Sequence, residues 1–175
     1  MNARLIRTPG LYLVGFMGCG KTTVGSLLAD ELGWNFANLD DDIEAAANAP
    51  IASIFEQQGE EVFRRMEHDA LLARVRKVQR GQPMVLSLGG GAFAQPRNVS
   101  LIADNGISIW LDCPFGRIQA RIAGQQHRPL ARDPEQFEAL YHTRKPFYAQ
   151  ADFRVDVVSD DASQALAAIL ALPVF

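Results

Sequence analysis

Eight consecutive residues, Gly15-Phe16-Met17-Gly18-Cys19-Gly20-Lys21-Thr22, restrict the possible folds more than any other part of this chain. They match the pattern G-x-x-x-x-G-K-[ST]. An apolar run, Leu11-Tyr12-Leu13-Val14, precedes them, and Val24, Leu27, Leu28 and Leu32 follow at helical spacing. Strand, glycine-rich turn and helix in that order is the context in which such a loop cradles phosphate. The glycines let successive backbone N–H groups turn inward with no Cβ in the way. The N-terminal dipole of the following helix adds a favourable potential for the anion. Lys21 is placed to reach the outer phosphates, and the Thr22 hydroxyl to ligate Mg²⁺. A nucleoside triphosphate is therefore the expected ligand, with Gly18, Cys19, Gly20, Lys21, Thr22 and Thr23 as its cradle.

The rest of the chain alternates short apolar runs with amphipathic stretches, the pattern of βαβ units. Strands are predicted at Leu11–Val14, Phe36–Leu39, Met84–Leu88, Ile107–Leu111 and Phe153–Val158. Helices are predicted at Thr22–Leu32, Ile51–Phe55, Glu60–Gln79, Phe115–Ala123, Phe137–Tyr148 and Ala162–Leu172. The expected architecture is one three-layer α/β domain over 1–175: a five-stranded parallel sheet flanked by helices, with ligands at the carboxyl ends of the strands. Its 175 residues, 48% hydrophobic and 21% charged, suit an ordinary globular core. A net charge of -3 gives no basic field for nucleic acid. The two cysteines, Cys19 and Cys113, form no metal-binding spacing and suit a reducing compartment. The first ten residues lack the apolar core of a secretory signal, and no run approaches the ~18 residues of a membrane span. A cytoplasmic monomer with no membrane partner is expected.

Several segments could carry chemistry. Asn38-Leu39-Asp40-Asp41-Asp42 ends the second strand, and three aspartates there can simply begin a helix, capping backbone N–H groups. Asp40, facing the phosphate loop, is the one expected to hold a substrate hydroxyl. In Gly59-Glu60-Glu61-Val62-Phe63-Arg64-Arg65-Met66-Glu67, an arginine could pair with Glu60, Glu61 or Glu67 on the surface, or turn inward to fork a carboxylate. Gly89-Gly90-Gly91 closes a strand at the ligand-binding edge, which implies that something approaches the backbone closely. The polar loop Gln125-Gln126-His127-Arg128-Pro129-Leu130 reads either as plain surface or as a lid that expels water and brings Arg128 to the phosphates. Arg144-Lys145 near a helix C-terminus is explained by the dipole alone.

In order, these segments resemble the shikimate kinase family from about Leu11 to about Val157. The resemblance rests on the phosphate loop, a D-x-D-like strand end, Ile43-Glu44, Ile54-Phe55, Gly-Glu-x-x-Phe-Arg-x-x-Glu, Leu-Gly-Gly-Gly, Arg128-Pro129-Leu130 and Arg144-x-Pro146-x-Tyr148. It implies transfer of the ATP γ-phosphoryl group to the 3-hydroxyl of shikimate. It further implies that Lys21, Asp40 and Arg128 are catalytic and that Arg64 and Arg144 clamp the shikimate carboxylate. Gly89, Gly90 and Gly91 would offer backbone, Ile51, Phe55 and Phe63 an apolar wall, and Arg121 a stacking surface for adenine. The substrate segment would span about 40–70 and the lid about 124–134.

Two departures stand out. Where the family's D-x-D has an aspartate that holds a Mg²⁺ water, ungapped reading puts Asn38, so Thr22 and Asn38 are the expected cation anchors and Mg²⁺ affinity is expected to be weakened. A shifted register would pair Asp40 with Asp42, but it displaces Ile43-Glu44. Val158-Ser159-Asp160-Asp161 also lacks the basic or proline-bearing loop often found over adenine. Two alternatives stay open: another small-metabolite kinase, such as a gluconate kinase, or a weakly active protein that senses shikimate or nucleotide.

Overall fold

A computed structural model of the chain describes residues 10–123 and 133–175. Five parallel strands, β1 (Gly10–Val14), β2 (Asn35–Asn38), β3 (Met84–Ser87), β4 (Gly106–Asp112) and β5 (Phe153–Asp156), form one sheet in the order β2-β3-β1-β4-β5. The central strand β1 is buried along its whole length and pairs with β3 and β4, Leu11 lying beside Val85 and Ile107. Near-continuous apolar runs suit such strands, which are covered on both faces.

The chain moves from β1 outward to β2, then reverses and steps back through β3 to β4 and β5. Right-handed crossovers therefore put α1 (Lys21–Leu32) on one face and α3 (Ile51–Gln79) and α4 (Pro96–Asn105) on the other. The packing agrees: α1 lies against α7 (Ala162–Leu170), and α3 against α4. The reversal leaves a crevice between the carboxyl ends of β1 and β3, which is where such sheets bind ligands. The phosphate loop leaves β1 and the glycine triplet leaves β3, so both open into that crevice.

The fold follows the expected three-layer plan, with two helices that the sequence-based expectation lacks. Leu39–Ala47 is a helix, α2, and Asn38 caps it: Asn38 Oδ1 accepts from the Asp40 N–H at 3.0 Å. The three aspartates thus occupy a first turn, where the helix dipole favours negative charge. The second such helix is α4. Pro96 occupies its first turn and Asn98 and Ile102 are buried beneath it. The two helices expected at 51–79 run on as α3 through a kink at Gly59, where φ is 82°. The predicted strand ends at Leu39, Leu88 and Val158 lie one or two residues beyond the observed ones, because the chain there already turns into the site.

Candidate active site

The phosphate loop is held by its own backbone and by neighbours. Gly20, with φ at 100°, caps α1 in a conformation that a side chain would strain, and a Cβ there would also lie 3.4 Å from Arg121 Nη1. Phe16 anchors the loop from below, its ring 5.2 Å from Phe137 and 5.3 Å from Tyr141, both on α6 (Pro134–Tyr148). Lys21 is buried, and Nζ donates to the Gly15 and Phe16 carbonyls at 2.8 and 3.0 Å, with Cys19 Sγ at 3.7 Å. Phosphate oxygens entering the loop would compete for the same ammonium donors.

A cavity of about 530 Å³ spreads from this loop in two directions. One arm reaches Asn38, Asp40, Ser87, Gly89 and Gly90; the other reaches Arg121, Val157, Ser159, Asp160 and Ala162. Gly18, Cys19, Gly20, Lys21, Thr22 and Thr23 line the floor between them.

In the first arm, Asn38 Nδ2 donates to Thr22 Oγ1 at 3.1 Å while its carbonyl caps α2. The cap fixes which end of the amide faces Thr22. Asp40 presses on the triplet: a Cβ at Gly89 would lie 2.6 Å from its Oδ1. Asp42 instead forks Arg74 with two 2.6 Å bonds, and Asp41 is exposed. The geometry therefore brings Asn38 and Asp40 to the crevice and turns Asp42 away from it.

Behind the triplet lie two arginines. A Cβ at Gly91 would meet Arg64 Nη2 at 2.5 Å, and one at Gly90 would meet Arg144 Nη1 at 3.1 Å and the Met17 amide nitrogen at 3.6 Å. Glycine at these positions is a matter of space for guanidinium groups. Arg64 pairs with Glu67, Nη1 reaching both carboxylate oxygens at 2.9 and 3.1 Å, while its contact to exposed Glu60 is a longer 3.5 Å. This is a buried pair and not a surface one, since Glu67 is only 1% exposed. Burial pushes the Glu67 carboxyl above its usual range, and the Arg64 guanidinium partly offsets that. Arg64 Nε is buried with no hydrogen-bond partner among the described residues. A planar guanidinium with one donor left over keeps a further charge-assisted bond in reserve. The Tyr148 hydroxyl donates to the Gly90 carbonyl and holds the triplet from the other side.

Phe55 and Phe63 stack at 4.5 Å, and the Arg64 guanidinium lies over Phe63 at 5.1 Å. Ile51 is partly buried on the same helix. These three, with Arg64, Gly91 and Arg144, adjoin the cavity but do not line it. Arg128 lies outside the described residues. The sequence offers Glu67 only as one possible surface partner. Its i,i+3 spacing from Arg64, on the same apolar stripe as Phe63 and Leu71, is the signal that it points inward.

Residues 17–172 match the family model described as shikimate kinase. A shikimate kinase from Cereibacter sphaeroides is 43% identical over 157 residues, covering 88% of this chain and 76% of that one. One from Persephonella marina is 37% identical and covers 91% and 96%. Among solved structures, a shikimate kinase from Acinetobacter baumannii in complex with shikimate superimposes with a TM-score of 0.85 at 33% identity, over 97% and 95% of the two chains. A gluconokinase from Sinorhizobium meliloti reaches 0.59 at 15% identity, a likeness of fold alone. The match of the family model over residues 17–172, with relatives 37% and 43% identical across most of the chain, establishes that this chain belongs to the shikimate kinase family.

Proposed function

We propose that this chain transfers the γ-phosphoryl group of ATP to the 3-hydroxyl of shikimate, giving shikimate 3-phosphate and ADP. The observation that carries this reading is the meeting of two half-sites at the glycine triplet. Asp40 and the phosphate loop face it from the crevice, and Arg64 and Arg144 back it from α3 and α6. A small acid with several hydroxyls has one end for each half.

Arg64 and Arg144 fix the carboxylate by charge-assisted bonds, with Phe55, Phe63 and Ile51 as the apolar wall beside it. Asp40 accepts from the acceptor hydroxyl and orients its oxygen toward the phosphate loop, as a positioned base does in phosphoryl transfer. Lys21 and the loop N–H groups stabilise charge on the transferred group. Arg128 is the proposed lid arginine.

Mg²⁺ would supply charge neutralisation between the outer phosphates. Thr22 Oγ1 and Asn38 are polar groups 3.1 Å apart at the edge of the loop, which fits a cation held mostly by phosphate and water. Asn38 gives the Thr22 oxygen a donor and brings no negative charge, which supports weaker cation binding than an aspartate would give.

We also infer a cytoplasmic monomer working as one domain, with substrate segment 40–70 and lid 124–134. No described helix is long and apolar enough to cross a membrane, and the exposed large apolar side chains among the described residues are Leu27, Phe147, Val158 and Phe175. Sedimentation would test the monomer. For the activity, a coupled ADP-release assay is run with shikimate, with gluconate and with no acceptor. Shikimate-dependent release is expected. Turnover of gluconate but not shikimate would overturn the reading, and tight binding of shikimate without turnover would favour a sensor.

A further inference from the structure

Asp160 stands at the rim of the second arm and holds two guanidinium groups on one oxygen. Arg117 Nη1 and Arg121 Nε both donate to its Oδ1 at 3.1 Å. These arginines lie one turn apart on α5 (Phe115–Ile122), and each also binds the backbone before Asp160. Arg117 Nη2 donates to the Val158 carbonyl at 2.9 Å and Arg121 Nη2 to the Ser159 carbonyl at 3.3 Å. Arg121 reaches one group more: Nη1 donates to the Gly18 carbonyl at 3.0 Å, within the phosphate loop. All three nitrogens of one side chain are engaged, tying α5, the β5–α7 connection and the phosphate loop together.

The space beside this strap has a definite chemistry. Ile122, Val157, Ala162 and Ala165 supply apolar walls, and Arg121 a planar cation. A flat heteroaromatic ring, reached from a phosphate chain seated on the loop, fits both the surfaces and the direction. The carboxylate at this rim is a puzzle on charge alone, because the ligand is a polyanion. Its two arginines answer it: they hold the Asp160 carboxyl below its usual range, Arg117 first and then Arg121, and offset its charge. At 74% side-chain exposure the pair adds little to folding stability, so its use lies elsewhere.

We propose that Asp160 is a positioning residue for the nucleotide, locking Arg121 so that its guanidinium face is already aligned for the base before ATP arrives. This deepens the ATP-site reading above and rests on it. The gain comes from preorganisation, since a free arginine would lose rotamer freedom on binding. The segment 158–161, which lacks the basic or proline-bearing pattern expected over adenine, does this work indirectly, through arginines borrowed from α5.

Charge and positioning predict opposite signs, which gives the test. Removing a carboxylate near a polyanion should tighten binding if charge alone mattered. Calorimetric titration of the full chain with ADP, and separately with inorganic tripolyphosphate, is made for the wild type, Asp160→Ala and Asp160→Asn. The expected result is about 3–20-fold weaker ADP binding in Asp160→Ala, the range of one ordered cation–π contact. Asp160→Asn, which keeps a carbonyl acceptor, should fall between. Tripolyphosphate, having no base, should bind as well as to the wild type or slightly better. In turnover the loss should fall on KM for ATP, with KM for shikimate unchanged. Unchanged or tighter ADP binding, or equal weakening of ADP and tripolyphosphate, overturns the proposal. The titration needs no acceptor, so it stands apart from the shikimate assay. A wild type that binds ADP but leaves shikimate unphosphorylated would sink the functional reading and not this one.

Discussion

The two arms of the cavity recognise charge in different ways. Behind the acceptor arm the charged groups sit on long helices: Arg64 and Glu67 on α3, Arg144 on α6, with Glu67 only 1% exposed. In the donor arm the phosphate loop presents backbone and one lysine, and its flanking ion pairs are open to water, Asp160 being 74% exposed. A buried pair is costly to disturb because either partner left alone is an uncompensated charge. An exposed pair is screened and contributes little to the fold. The acceptor arm should therefore be rigid and unforgiving, the donor arm adjustable at its rim and intolerant only at the loop itself.

The largest effect should come where the donor arm is least adjustable. Lys21→Ala removes the ammonium proposed to stabilise the transferred phosphate and should lower kcat by about 10²–10³-fold, the usual loss for one preorganised transition-state contact. Its KM for shikimate should hardly change. A comparable loss of shikimate affinity would mean that the arms are not separable. Next comes the reverse experiment. Arg64→Ala strips the fork from the acceptor arm and leaves Glu67 buried without its partner. KM for shikimate should rise about 30–100-fold, the lower part of the range for truncating a buried charge pair, while ADP binding stays near wild type. Equal loss of both affinities would count against the placement of Arg64.

Glu67 gives the comparison a pH axis. Its carboxyl titrates above the ordinary 4.5 because burial outweighs the pull of Arg64, with Asp40 adding to the rise and Arg144 opposing it. The ionised form is the one that anchors Arg64. On acidification KM for shikimate should climb, by about tenfold or more for loss of one charge-assisted bond, starting at higher pH than a surface glutamate would give. KM for ATP should not follow it. Glu67→Gln should flatten the shikimate profile, and a profile that stays steep in that variant would exclude Glu67 as its origin. For stability the sign is opposite to that of a depressed carboxylate. Between 4.5 and the raised folded value the native state binds the proton more tightly than the unfolded chain, so this group's contribution falls as pH rises through that window and is level above it.

The donor loop and the sheet are legible in the sequence because both are local. A glycine pattern dictates backbone geometry, and apolar runs dictate parallel strands. What stays hidden is non-local or doubly used. The helix α4 offers only ten residues, with polar positions through its first turn, and is stabilised by packing against α3. The Asp160 clamp joins residues about forty positions apart, a pairing no local pattern carries. In the sequence Asn38 reads as a cation anchor and the three aspartates as a possible helix start, yet the two readings describe one structure. An asparagine directly before an acidic first turn is a helix-start signature, and it locates the start of α2 without any reference to a metal.

That double use sets the smallest and most discriminating prediction. Asn38 serves α2 through Oδ1 and faces Thr22 through Nδ2, so replacing the amide with a carboxylate alters one role and keeps the other. In Asn38→Asp the new carboxylate would still accept from the Asp40 N–H, because aspartate caps helices about as well as asparagine. Toward Thr22 the change is one of kind: a donor becomes an acceptor, and a negative charge arrives beside the loop. The added charge also sits at a helix N-terminus, worth about 0.3–1 kcal/mol, but three aspartates already crowd that turn and repel it. Thermal stability without metal should therefore move little. The Mg²⁺ concentration for half-maximal rate should fall a few-fold, and ADP titrated with Mg²⁺ should bind more tightly than ADP alone by a wider margin than in the wild type. If the Mg²⁺ dependence is the same in both proteins, Asn38 is a helix cap and nothing more, and the donor arm holds its cation through Thr22 and the nucleotide.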